Sequence, residues 1–221
     1  MRPIPFDVVA FDLDGTLADT APDLAASLNH ALRLLGRPEV PAASVRHLVG
    51  HGARALLRRG LATGGEAPEA LVEEGFPLLI DYYAAHICDG TRPYPGAEEA
   101  IDALNGAGVR AALCTNKPEA LTRLLLEALG WEDRFDAVVG GDTLAARKPD
   151  PAPLHEAIRL AGGGRAAFVG DSIVDAETAR AAALPFVAVG FGFSDRPVEA
   201  LGADSVIHAF DGLLDALADL G

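Results

Sequence analysis

The stretch VVAFDLDGTLADT, Val8 to Thr20, decides how the rest of the chain is read. A short β-branched run that stops at Asp12, Asp14, Gly15 and Thr16 predicts a buried strand that leaves its sheet at two acids. Carboxylates this close repel each other unless a cation or a shared proton lies between them. The strand end therefore predicts a site for a cation.

Working outward, short apolar runs recur at Asp7–Phe11, Val109–Cys114, Phe135–Val139, Ala166–Val169, Phe186–Val189 and Ser205–His208. Helical patterns lie between most of them, among them GAEEAIDALNGAG, PEALTRLLLEALG, PAPLHEAIRLAGGG and DAETARAAAL. Several begin near Pro and end just before Gly, as helix boundaries prefer. Strands that alternate with helices predict an α/β fold, a parallel sheet covered on both faces. The rhythm breaks between Leu17 and about Pro93, where no strand is expected and only helical segments are read. In PDLAASLNHALRLLG, residues Leu24, Leu28, Ala31, Leu32 and Leu35 share one face. ARALLRRGL and EALVEEGFPLLIDYYAAHI look similar, ATGGEAPEA reads as a loop between them, and TRPYPG marks the return to the α/β rhythm. The expected organisation is a core of residues 1–16 and 93–221 with an all-helical insertion at 17–92.

Composition narrows the function. The 221 residues are 50% hydrophobic, ample for a large core, and the net charge of −14 argues against a nucleic-acid partner. A small anionic substrate is still compatible, since it needs only a local positive group or a metal. The first residues lack the apolar core of a signal peptide, and no apolar run approaches ~18 residues, so a soluble cytoplasmic protein without a membrane partner is expected, as monomer or homodimer. Cys88 and Cys114 are expected to be reduced and structural. Of eighteen basic residues only Lys117 and Lys148 are lysines, and both fall in loops after strands.

In a parallel sheet the C-terminal strand ends share one edge, and ligands bind outside it. The first strand brings Asp12, Asp14 and Thr16; the second, Thr115, Asn116 and Lys117; the third is followed by Lys148 and the fourth by Asp171 and Asp175. These are acids for a hard cation, a hydroxyl and amides for phosphate oxygens, and an ammonium. Mg²⁺ takes a few oxygen ligands with water and a substrate phosphate oxygen. Asp12 and Asp171 are the expected carboxylate ligands, the Asp14 carbonyl a third, and Asp175 an outer contact. Asp12 can then act as a nucleophile that forms an aspartyl-phosphate, and Asp14 as general acid and base. Lys148 and the Thr115 hydroxyl would bind the charge on the transferring phosphoryl group. Each piece alone has a plainer explanation: a turn, a helix N-terminal acid, a solvated lysine. Their order along the chain, each after a strand, carries the reading. A Ca²⁺ loop of the EF-hand type fails because Leu17 stands where its glycine is required.

DLDGT, Thr115, Lys148 in RKPDP, and GDSIVDAE resemble the four motifs of haloacid dehalogenase superfamily phosphatases, in order and over the whole chain. The resemblance implies a Rossmann-like core, a helical cap that closes over the substrate, Asp12 as nucleophile, Asp14 as acid and base, and Mg²⁺. Within that superfamily VGHGARALLRRGL, YPGAEEAIDAL and CTNKP look most like the phosphoglycolate phosphatases, with His51 a departure from their usual cap stretch. This implies hydrolysis of a small phosphate monoester, 2-phosphoglycolate first. Thr115, Asn116 and Lys148 would bind the phosphate end, and the cap loop Gly50–Arg54 would recognise the other end, with either His51 or Arg54 to meet a carboxylate. Asp19 and Thr20 are expected to shape the hinge or to cap the helix near Pro22. His30, His47, His86, His155 and His208 are expected to be structural. The alternatives are a phosphatase for another ester, a phosphosugar mutase and, in a different class, a phospho-signalling receiver.

Overall fold

In the computed structural model, which describes residues 3–194 and 196–221, the quoted stretch opens with β1 (Val8–Phe11), buried along its whole length. The chain continues through β2 (Ala18–Asp19), α1 (Ala21–Leu34), α2 (Ala42–Val45), α3 (Ala53–Thr63), α4 (Glu69–Ala85) and β3 (Arg92–Pro93). It then alternates through α5 (Ala97–Gly106), β4 (Arg110–Cys114), α6 (Glu119–Leu129), β5 (Ala137–Val139), α7 (Ala152–Leu160), β6 (Ala166–Gly170), α8 (Ile173–Ala181), β7 (Phe186–Val189), β8 (Ser205–Ile207) and α9 (Leu213–Asp219). The six long strands pair in parallel in the order β5-β4-β1-β6-β7-β8. The expected α/β core is therefore present, with β1 at its centre and neighbours on both sides.

Strand alternation explains why both faces are covered. Val9 and Phe11 pack with Ile101, Leu104, Leu113 and Leu217 on one face, while Val8 and Ala10 pack with Ala112, Leu154, Ala157 and Phe168 on the other. Both faces being apolar, the strand shows a continuous hydrophobic run rather than an alternating one.

Helices α1, α3 and α4 form a separate apolar cluster built on Leu24, Leu28, Leu32, Leu56, Leu57, Leu61, Leu79 and Tyr83, which Leu121 of α6 joins from below. Gly60 lets α3 approach α1, because a Cβ there would lie 2.6 Å from Leu28 Cδ1. The short α2 was not foreseen, nor were strands inside this region. Ala18–Asp19 and Arg92–Pro93 pair antiparallel where the chain leaves and re-enters the core. Two residues carry no periodicity for a sequence to display; their pairing follows from two crossings brought side by side. Asp23 fastens the same junction: its carboxylate accepts the Gly90 and Thr91 N–H groups at 2.8 and 2.7 Å and the Thr91 hydroxyl at 2.6 Å.

Candidate active site

The C-terminal ends of β1, β4 and β6, with the loop after β5, meet beneath the helical region. Asp12, Thr115, Lys148, Asp171 and Asp175 are all buried there. Asp12, Asp171 and Asp175 each offer a carboxylate oxygen within 4.8 Å of the others. Lys148 Nζ lies 2.7 Å from Asp175 Oδ1 and 3.0 Å from Asp12 Oδ1. The second contact is an ion pair without hydrogen-bond geometry, which leaves Asp12 Oδ1 buried and unbonded. Burial pushes the Asp12 carboxyl up to about 6 against the pull of Lys148. Burial, then Asp175 and Asp12, raises Asp171 well above the carboxylate range. Burial alone would depress Lys148, but the two carboxylates outweigh it and hold the ammonium protonated.

Each acid has its own local support. Thr16 donates its hydroxyl to Asp171 Oδ1 at 2.9 Å, and the Phe193 N–H donates to Asp171 Oδ2 at 2.6 Å. Gly15, at φ +85°, is required here because a Cβ would lie 2.7 Å from Asp171 Oδ2 and 2.8 Å from the Phe193 ring. Asp175 closes a capping box with Ser172 at the start of α8, so the same residue caps a helix and anchors Lys148.

Asp14 stands in different surroundings. Its Oδ1 accepts the Thr20 hydroxyl at 2.7 Å and the Lys117 ammonium at 2.8 Å. Thr20 starts α1 without a side-chain cap bond, so its hydroxyl serves Asp14 instead, while Asp19 Oδ1 accepts the Ala21 N–H. Lys117 also donates to the Tyr83 hydroxyl of α4 at 2.6 Å. Burial opposes the charge on Lys117, and Asp14 and Tyr83 more than restore it. Burial raises the Tyr83 phenol to about 12, so it stays neutral.

Above Asp12 and Asp14 lies a narrow cleft, part of it open to solvent, bounded by Thr115, Asn116, Lys117, Gly50 and apolar side chains of the helical region. Asn116 Nδ2 donates to the Gly50 and Lys148 carbonyls, both at 3.0 Å, clasping the two loops together. His51 lines a neighbouring opening with His47, Arg59 and Ser172. Arg54 turns away: its guanidinium pairs with Glu73, stacks 4.1 Å from the Phe76 ring centroid and lines a third opening with Arg147. The strand ends therefore bring Asp12, Asp14, Thr115, Asn116, Lys148 and Asp171 together with Gly50, while His51 and Arg54 stand outside the cleft. The sequence pattern predicts Lys117 only as a loop lysine without a role and Tyr83 only as a residue of a helix. The scarcity of lysine was the one available signal for Lys117; nothing local marks Tyr83.

A family model for haloacid dehalogenase-like hydrolases matches residues 6–183. The chain is 46% identical to a phosphoglycolate phosphatase of Mesorhizobium japonicum, over 96% of this chain and 95% of that protein. It is also 46% identical to one of Caulobacter vibrioides, over 91% of this chain and 86% of that protein. A crystal structure of a predicted phosphoglycolate phosphatase from Haemophilus somnus superposes with a TM-score of 0.89 at 31% identity, covering 95% of this chain and 97% of that one. A structure of CbbY from Rhodobacter sphaeroides in complex with phosphate superposes with a TM-score of 0.81 at 25% identity, over 96% and 99% of the two chains. With its acids and lysine gathered at one sheet edge and these likenesses spanning nearly its whole length, the chain belongs to the haloacid dehalogenase-like hydrolases.

Proposed function

We propose that the protein hydrolyses a small phosphate monoester, 2-phosphoglycolate to glycolate and phosphate, through an aspartyl-phosphate on Asp12. The observation that carries this reading is the unequal environment of two carboxylates two residues apart. Asp12 lies in an acid-rich site with Lys148 beside it, and Asp14 is held by a hydroxyl and a second lysine. Lys148 and a cation bound beside it would keep Asp12 ionised for attack despite its burial, while Asp14, outside the acid cluster, would exchange the proton.

In the first step an Asp12 oxygen attacks phosphorus and the ester P–O bond breaks. Asp14, an anion paired with Lys117 in this structure, takes up a proton from solvent as the ester binds and gives it to the departing alkoxide, while Thr115 and Lys148 bind charge on the equatorial oxygens. Asp14, now a carboxylate, takes a proton from water, whose oxygen attacks phosphorus. The Asp12–phosphorus bond then breaks, phosphate leaves, and Asp14 is protonated again. Its two hydrogen bonds both fall on Oδ1, so Oδ2 is the oxygen assigned to proton transfer.

The acids suit a divalent cation with oxygen ligands, since Asp12 Oδ1 is buried without a hydrogen bond and three carboxylates converge. Asp12 and Asp171, with the Asp14 carbonyl, would hold Mg²⁺, while Asp175, already bonded to Lys148, Ser172 and the Asp171 N–H, would orient the others. When bound, Mg²⁺ supplies charge neutralisation at the phosphoryl oxygens.

Residues 17–92 act in this reading as a cap whose opening admits the ester and whose closure excludes water. Apart from Tyr83, whose hydroxyl is taken by Lys117, the cap side chains bounding the cleft are apolar and suit a small substrate better than a sugar's hydroxyls. The relatives named for phosphoglycolate point the same way. Among the described residues no helix is long and apolar enough to cross a membrane; we place the protein in the cytoplasm.

The test is phosphate release from 2-phosphoglycolate, sugar monophosphates and nucleotides, with and without Mg²⁺. A metal-dependent preference of about a hundredfold for 2-phosphoglycolate is expected. Flat activity across the esters would discard the substrate, and no release from any ester would discard the phosphatase.

A further inference from the structure

We propose that Lys117 is the group that reads the substrate's carboxylate, and that it takes up this task from a closed resting state in which Asp14 and Tyr83 hold it. The inference rests on the 2-phosphoglycolate reading and adds to it the residue that recognises the non-phosphate end.

Three observations lead here. First, of the described residues bounding the cleft, Lys117 alone carries a positive charge, because Lys148 lies behind Asp12 and Arg54 faces Glu73. A carboxylate in a cleft walled by leucines needs a cation within hydrogen-bond distance. Second, the reach is right. The acid that protonates the ester oxygen must lie within a hydrogen bond of it, and Lys117 Nζ is bonded at 2.8 Å to the other oxygen of that carboxylate, Asp14 Oδ1. In 2-phosphoglycolate a single methylene separates the ester oxygen from the carboxylate, so the ammonium and the anionic end fall in the same part of the cleft. Third, Lys117 comes from the core loop after β4, while its second partner, the Tyr83 hydroxyl at 2.6 Å, comes from the helical region. The ammonium is buried and directed only when the two parts are together, which ties recognition to closure.

An ester with a neutral end leaves the ammonium buried with Asp14 as its only anion. One with a carboxylate adds a charge-assisted bond and lessens the hold of Lys117 on Asp14. Lys117 is thus a specificity residue, and Tyr83 positions it.

The experiment compares kcat/KM for 2-phosphoglycolate and for 2-hydroxyethyl phosphate, which has the same chain length and a neutral end, in wild type, Lys117→Met, Lys117→Arg and Tyr83→Phe. The wild type should prefer the carboxylate. In Lys117→Met that preference should fall by about ten- to a hundredfold, over and above any loss of kcat common to both esters from unpairing Asp14. Lys117→Arg should keep part of the preference, and Tyr83→Phe should lower it by a few-fold. Should Lys117→Met not fold, the arginine and phenylalanine variants carry the same comparison. If the wild type prefers 2-phosphoglycolate and Lys117→Met loses activity on both esters alike, Lys117 serves only Asp14 and this inference is overturned while the substrate assignment stands. If the wild type shows no preference, the substrate assignment fails and this inference with it.

Discussion

Lys148 Nζ lies 2.7 Å from Asp175 Oδ1, with both side chains buried, so the ammonium beside Asp12 is held from behind by a residue that also caps α8. Removing one partner of such a buried pair leaves uncompensated charge, at a cost of about 3–5 kcal/mol. Lys148→Met, which leaves Asp12, Asp171 and Asp175 facing one another, should lower Tm by roughly 10 °C in a chain of this size. In Lys148→Met/Asp175→Asn the loss should be smaller than the sum of the single effects, because the two residues are in contact. Thermal unfolding of the three variants checks this, and strict additivity would show that the pair is not coupled.

Asp12→Asn should abolish turnover while the fold survives, because an amide oxygen does not replace a carboxylate as nucleophile. Asp14→Asn should reduce kcat by about 10²–10⁴-fold, the usual worth of general acid–base help. Substantial turnover by Asp12→Asn, with circular dichroism unchanged, would exclude the covalent route.

Stability and metal affinity should both depend on pH. Burial holds Asp12 up at about 6 and Asp171 well above the ordinary carboxylate value. Without metal, Asp12 and Asp171 therefore bind more protons in the folded protein than in the unfolded chain from about pH 4 to 6, and their contribution to stability falls as pH rises through that window. A divalent cation needs the ionised carboxylates, so binding releases protons and weakens on acidification below about pH 6. Mg²⁺ should raise Tm more at about pH 8 than at about pH 5, and the acid limb of kcat/KM should move down as Mg²⁺ increases. A Tm increment equal at both pH values would contradict this linkage.

Gly15→Ala combines a strained φ with a Cβ 2.7 Å from Asp171 Oδ2. The shift it imposes on Asp171 should weaken Mg²⁺ binding and cost about tenfold or more in kcat/KM. Isothermal titration with Mg²⁺ separates this from simple unfolding: unchanged affinity in a folded variant would show that Asp171 tolerates the displacement.

The parallel core was legible in the sequence because its strands are short, uniformly apolar and separated by well-bounded helices, signals that arise within a few residues of one another. The gathering of Asp12, Asp14, Thr115, Lys148 and Asp171 at one edge was legible for a related reason. Each follows a strand, and a parallel sheet places every such position on one edge. The paired two-residue strands and the Asp23 clasp were not legible, since Asp23 joins Gly90 and Thr91 from 67 and 68 residues away.

The amino-acid sequence by itself determined the sheet and the edge at which its acids gather, because the strand and helix patterns that set it arise locally. Only the tertiary structure decided which side chains of the helical region face that edge. Arg54, the obvious cation of its segment, is drawn off by Glu73 and Phe76, while Tyr83, one aromatic of an apolar helix, reaches Lys117 at 2.6 Å. Helical periodicity names the face a residue occupies, but the partner across a cleft depends on how the helical region packs on the core, and no local pattern encodes that.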